Sequence, residues 1–135
     1  MASFTLNKTS TTLFSAQSVS AGGTQTATLD LRTCHGGTVS IQLKNGGTGP
    51  TVPARVYLGI SHNSGTTPSA SATFGTDWFS LTTLAGTSTS NDIRNFPPVA
   101  IPPGAQHLEI VVTGNTGQAV TVTAKATLVT SVVSA

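Results

Sequence analysis

Period-two alternation of apolar and polar residues recurs along the chain, and no segment carries convincing helical spacing. Ala27, Leu29 and Leu31 alternate with Thr26, Thr28, Asp30 and Arg32; Val39, Ile41 and Leu43 alternate with Thr38, Ser40, Gln42 and Lys44. Ala54, Val56, Leu58 and Ile60 share one face opposite Arg55, Tyr57, Gly59 and Ser61, and Leu108, Ile110 and Val112 form a further inward row. The cleanest row is the last, Val120, Val122, Ala124, Ala126 and Leu128 against Thr121, Thr123, Lys125 and Thr127. Each of these segments has one apolar and one polar face, the signature of antiparallel sheets with one face on a core. Weaker strand signals lie at 3–7, 13–20, 78–84 and 90–96.

Gly and Pro punctuate the gaps, at Gly22-Gly23, Gly36-Gly37, Asn45-Gly46-Gly47, Pro97-Pro98, Pro102-Pro103-Gly104 and Gly114-Asn115-Thr116-Gly117. About eight or nine short strands joined by such turns predict an all-β fold, an antiparallel two-sheet sandwich. Periodicity does not separate a jelly-roll from an immunoglobulin-like topology. Three regions are expected: an N-terminal arm at 1–12, a β-sandwich domain at 13–130 and a C-terminal tail at 131–135. The arm carries Phe4 and Leu6 on one side and either pairs with the parent sheet or reaches a neighbouring subunit. Its removal is expected to spare the fold. Residues 62–76, polar and built of small side chains, predict a long loop.

Composition sharpens the picture. Charged residues make up 7% of the 135, and 25 Thr and 15 Ser take their place. Typical soluble domains are about one-quarter charged. Disordered chains pair low hydrophobicity with high net charge, whereas the net charge here is +2. Thr and Val are stiff at χ1 and pack well on a pleated surface, so ordered strands are the better reading. A chain of this size buries roughly two-thirds of its unfolded surface, enough for one core. A weakly charged surface invites association, which suits a protein that packs beside copies of itself.

Other classes lose ground one by one. The single cysteine, Cys34, rules out an intramolecular disulfide framework, and a small buried apolar residue is its ordinary role. The start, MASFTLNKTS, lacks the basic segment and apolar run of a secretory signal, and no stretch approaches the roughly 18 apolar residues of a membrane span. Lys8, Arg32, Lys44, Arg55, Arg94 and Lys125 are scattered singly, so no nucleic-acid stripe forms.

Candidate chemistry is sparse. Ser61-His62 sits in a Gly59-Ile60-Ser61-His62-Asn63 run without the closing glycine of a nucleophile elbow. His35, His62 and His107 are far apart, and Asp30, Asp77, Asp92 and Glu109 are isolated, so neither a metal site nor a catalytic carboxylate pair is expected. Asp30 and Glu109 fall on polar strand faces, where solvation is the default. No catalytic residue, metal or cofactor is assigned, and the chain is expected not to be an enzyme. Sugar-binding sandwiches stack sugars on exposed rings, which leaves Tyr57, facing outward, and Trp78, more simply a core anchor, as candidates for a carbohydrate-binding or tail/fibre attachment module.

Four phrases carry a resemblance: Thr12–Gly23 (TLFSAQSVSAGG), Asn45–Val56 (NGGTGPTVPARV), Ile101–Ile110 (IPPGAQHLEI) and Gly114–Val122 (GNTGQAVTV). Over about residues 12–128 the chain resembles small β-sandwich virion proteins of tailed bacteriophages. The resemblance implies a non-enzymatic structural role in the virion, with capsid decoration or cementing of the head lattice foremost. It implies major capsid protein or other virion proteins as partners, a homo-oligomer (dimer or trimer) and assembly in the host cytoplasm; the scattered cations and the lack of a long apolar stretch give the expectation of no nucleic acid and no membrane. It supplies no site residues. From the residues themselves, Phe4 and Leu6 in the arm and Val132 and Val133 in the tail are the expected partner contacts.

Overall fold

Nine strands run in the order β1 (Phe4–Val19), β2 (Thr24–Asp30), β3 (Gly37–Asn45), β4 (Arg55–Ser61), β5 (Phe79–Ala85), β6 (Ile93–Asn95), β7 (Val99–Ile101), β8 (His107–Thr113) and β9 (Val120–Ser134). The computed structural model describes residues 3–63 and 78–134, and the count refers to these. The predicted loop at 62–76 lies, from residue 64 onward, outside the described residues.

One sheet has the order β1-β9-β3-β6, with β7 also on β3, and the other the order β2-β8-β4-β5. Every pairing is antiparallel. The first four strands alternate between sheets, β4 and β5 stay together, and β8 and β9 again divide. An immunoglobulin sandwich keeps its first two strands in one sheet, so the interleaving makes this a jelly-roll.

The alternating rows meet between the sheets. Val39, Ile41, Leu43, Val56, Leu58, Leu108, Ile110, Val112, Val120, Val122 and Leu128 are buried in one cluster with Phe14 and Phe96. Each such aliphatic side chain contributes about 1.5–3 kcal/mol by leaving water. Cys34 packs half-buried against this cluster. A buried polar tie closes one end: Asn115 accepts from the Ala54 amide at 2.6 Å and donates to Asn45, which donates to the carbonyls of Thr87 and Thr89.

Two features depart from the sequence reading, and a third takes one of its two expected courses. Residues 4–12 pair with the parent sheet: β1 runs unbroken across 12/13 and pairs with β9 as far as Ser134, so residues 131–134 are strand as well. Removing residues 1–12 would therefore strip half of an edge strand and uncover the core beside it. Glu109 is not solvated. It is buried with His107 and Val111 on β8, a strand covered on both faces, and the neighbouring Gly59 and Ser61 of β4 are buried too. Ser61 is not on an open face either; its Oγ accepts from the Asn63 amide at 3.1 Å and closes the turn after β4.

Candidate interaction surface

The β1–β9 pair outruns the rest of its sheet. Pairing of β9 with β3 ends at Gly37–Leu128. One further residue is held from the β2–β3 loop, where the Val129 amide donates to the Gly36 carbonyl at 2.9 Å and the His35 amide donates to the Val129 carbonyl at 2.7 Å. Beyond that, β9 has β1 alone as a strand neighbour, in the register Asn7–Ser131, Leu6–Val132, Thr5–Val133 and Phe4–Ser134.

Polar side chains lock this register. A one-residue shift between Asn7 and Lys8 leaves Thr130 as the extra residue on β9. Asn7 Nδ2 donates to Ser131 Oγ at 2.7 Å, and Thr130 Oγ1 donates back to the Asn7 carbonyl at 3.2 Å. Below the shift, the hydroxyls of Ser10 and Thr127 share a hydrogen bond at 3.2 Å.

Facing follows from the pleat. Thr9 and Thr11 lie opposite Leu128 and Ala126, whose side chains point to the core, so Phe4, Leu6, Lys8 and Ser10 point outward. Val132 joins them across from Leu6, and Val133 lies on the opposite side with Thr5. Phe4 is 67% exposed, Leu6 50%, Val132 51% and Val133 49%. Among the described residues the other large exposed apolar side chains lie apart, Val52 in the β3–β4 loop, Phe79 on β5 and Ile93 on β6.

A groove of about 290 Å³ opens at the base of this ribbon, lined by Leu6, Lys8, Gly37, Thr38, Thr127 and Val129. Gly37 has no side chain to fill it, and none fits: a Cβ there would stand 2.0 Å from the Thr127 carbonyl oxygen. A second groove, about 270 Å³, lies farther along the same outer face between Ser40, Gln42, Asn95, Phe96, Thr123 and Lys125.

The structure thus places the four residues expected to contact a partner on one two-stranded ribbon, three on its outward face and Val133 on the other. The two rings considered for sugar stacking differ: Tyr57 is half-buried on the outward row of β4, and Trp78 is 4% exposed, with almost no ring surface open. The His62 ring packs on Phe79 with centroids 5.6 Å apart. No group of three His, Cys, Asp or Glu side chains that could hold a metal occurs among the described residues.

Titratable groups cluster in one place. Arg32 donates to both carboxylate oxygens of Asp30, at 2.9 and 2.7 Å, and these bonds hold the Asp30 carboxyl well below the usual carboxylate range. His107, fully buried, has its Nε2 3.8 Å from Asp30 Oδ1, and neither ring nitrogen has a hydrogen bond among the described residues. Sequence pattern missed this burial, although one signal was there: Val111 puts an apolar residue on the face that alternation assigns to solvent.

Solved structures share this fold. The K3 cleaved adhesin domain of Lys-gingipain from Porphyromonas gingivalis W83 superposes with a TM-score of 0.55 at 11% identity, over 87% of this chain and 71% of that one. The VP2 subviral particle protein of infectious bursal disease virus gives 0.50 at 12% identity, over 92% of this chain and 33% of that one. The chain is built like adhesin and viral capsid β-sandwiches. At such identities the likeness is one of fold, and the chain spans about a third of VP2. No family model matches the chain, and no curated protein matches its sequence.

Proposed function

We propose that this chain is a non-enzymatic structural protein of a virion, a decoration or cement protein that binds the phage head lattice through the β1–β9 ribbon. The observation that carries the reading is the gathering of Phe4, Leu6, Val132 and Val133, each about half exposed or more, on a ribbon beyond the sandwich. Phe4, Leu6 and Val132 share its outward face and Val133 lies on the other, and contiguous exposed apolar surface of the kind on the outward face marks interaction sites. Burying it against a partner yields about 25 cal/mol for each Å² of apolar area removed from water.

The rest of the molecule fits that role. A net charge of +2 over 135 residues lets many copies sit side by side on one shell without strong repulsion. Cementing does not require a tight single site, because an oligomer touching several capsomers gains from effective concentration. The virion assignment draws on the resemblance carried by the turn-and-strand phrases, and the likeness in fold to a viral capsid domain supports it.

The test is mechanical. Purified capsid shells, bare and saturated with the protein, are heated and their disruption is followed by light scattering. Saturated shells are expected to rupture at a higher temperature; equal rupture temperatures would sink the cement role. Retention on bacterial surface glycans, lost in Tyr57→Ala, by a protein that ignores shells would move the chain to host attachment.

A further inference from the structure

The four outer flanks of the two sheets are unequal. β6 and β7 are three residues long, β2 and β5 are seven, and β1 is sixteen. Each strand at an edge presents a row of N–H and C=O groups that another chain can pair with. The second half of β1 is blunted by register shifts between Thr12 and Phe14 and between Phe14 and Gln17, with Ala16 at φ 46°. From Phe4 to Thr12 the strand is regular on its open side, because the shift at Asn7/Lys8 is absorbed by the extra Thr130 of β9. Lys8 is the one charged residue in that stretch.

We propose that a second copy of this chain adds antiparallel to the open edge of β1, with Leu6 of one copy opposite Leu6 of the other. The inference deepens the ribbon reading by naming what pairs with the ribbon's edge. A two-fold axis through Leu6 is self-complementary: Phe4 of each copy lies beside Lys8 of the other on the outward face, and Thr5 lies opposite Asn7 on the inward one. Lys over an aromatic ring is a favourable neighbour. Sliding each strand by two residues brings Lys8 against Lys8, and like charges directly opposite destabilise a sheet. Lys8, a residue type that discourages indiscriminate pairing at an edge, here selects the register.

The pairing also answers the ribbon's own weakness. Two strands alone are marginal in water, and three or more with an apolar face are needed for independent stability. Joining two copies makes a four-stranded overhang in the order β9-β1-β1-β9. Its outward face gathers Phe4, Leu6 and Val132 from each copy. An isologous contact of this sort closes at two subunits and leaves that doubled apolar face for the virion partner.

The full-length chain is placed in light scattering at tens of micromolar. Single-cysteine variants Leu6→Cys, Asn7→Cys and Lys8→Cys are then oxidised in a Cys34→Ala background. The expected mass is twice 13.6 kDa, with Leu6→Cys cross-linking several-fold faster than the other two. A monomeric mass, or fastest cross-linking at Asn7 or Lys8, would overturn the pairing. Leu6→Lys in the natural-cysteine background places two like charges on the axis, and it is expected to give monomers with an unchanged far-ultraviolet circular dichroism spectrum. A dimer that survives Leu6→Lys would equally overturn the proposal. No shells enter these measurements, so the pairing and the cement role fail separately.

Discussion

The two halves of β9 make opposite use of one pattern. From Val120 to Leu128 the strand lies between β1 and β3, and its apolar row is buried. From Val129 to Ser134 the residues are similar in kind, yet β3 has ended and Val132 and Val133 face water. Side-chain chemistry is nearly constant along the strand; what changes is that β3 no longer flanks it, with Val132 on the outward face and Val133 on the inward one. The buried half therefore contributes stability, whereas the overhang spends apolar surface that only a partner can cover. Pairing with β1 joins a stability element to the proposed binding element in a single strand.

Substitutions along this pair separate the two. Leu128→Ala, at the end of the buried half, is expected to cost about 2–5 kcal/mol in denaturant unfolding, as lost transfer energy adds to a cavity. Gly37→Ala acts at the border, where a Cβ would stand 2.0 Å from the Thr127 carbonyl oxygen. Forcing the strands apart there should cost about 1–3 kcal/mol. A similar loss, about 1–3 kcal/mol, is expected for Asn115→Ala, which orphans the buried Ala54 amide and one partner of Asn45. Val132→Ala, four residues beyond Leu128, should stay within about 0.5 kcal/mol of the natural chain. An effect at Val132 as large as that at Leu128 would erase the distinction between the halves.

The smallest effect is electrostatic and lies outside the pair. Asp30 is held below its ordinary pKa of 3.8 by its hydrogen bonds to Arg32. A carboxyl lowered in the folded state adds stability that is present above the unfolded value and is lost as pH falls through the folded one. Both groups are exposed, with side-chain accessibilities of 48% and 38%, so solvent screening keeps the contribution small. Comparing natural and Asp30→Asn chains, the stability gap should shrink as pH drops below about 4.

Legibility in the sequence followed the same physics. The rows in β3 and β9 were readable because one face meets a core and the other meets water, and that asymmetry is what period two records. The jelly-roll order was not, because alternation says which way a residue faces and nothing about which strand lies beside it. Glu109 and His107 escaped for a related reason: β8 is covered on both faces, and a polar residue on a covered face looks like one on an open face. For the interaction surface, Phe4, Leu6, Val132 and Val133 stood out as apolar residues outside the strong rows. That they share one ribbon required the pairing of β1 with β9, a contact between distant segments.

The most direct test of the account is co-sedimentation of the Leu6→Ser/Val132→Ser chain with purified capsid shells, beside its thermal melt. The expected result is a melting temperature close to that of the natural chain together with loss of shell binding. Full occupancy of the shells by this variant would contradict the assignment of the ribbon as the binding element.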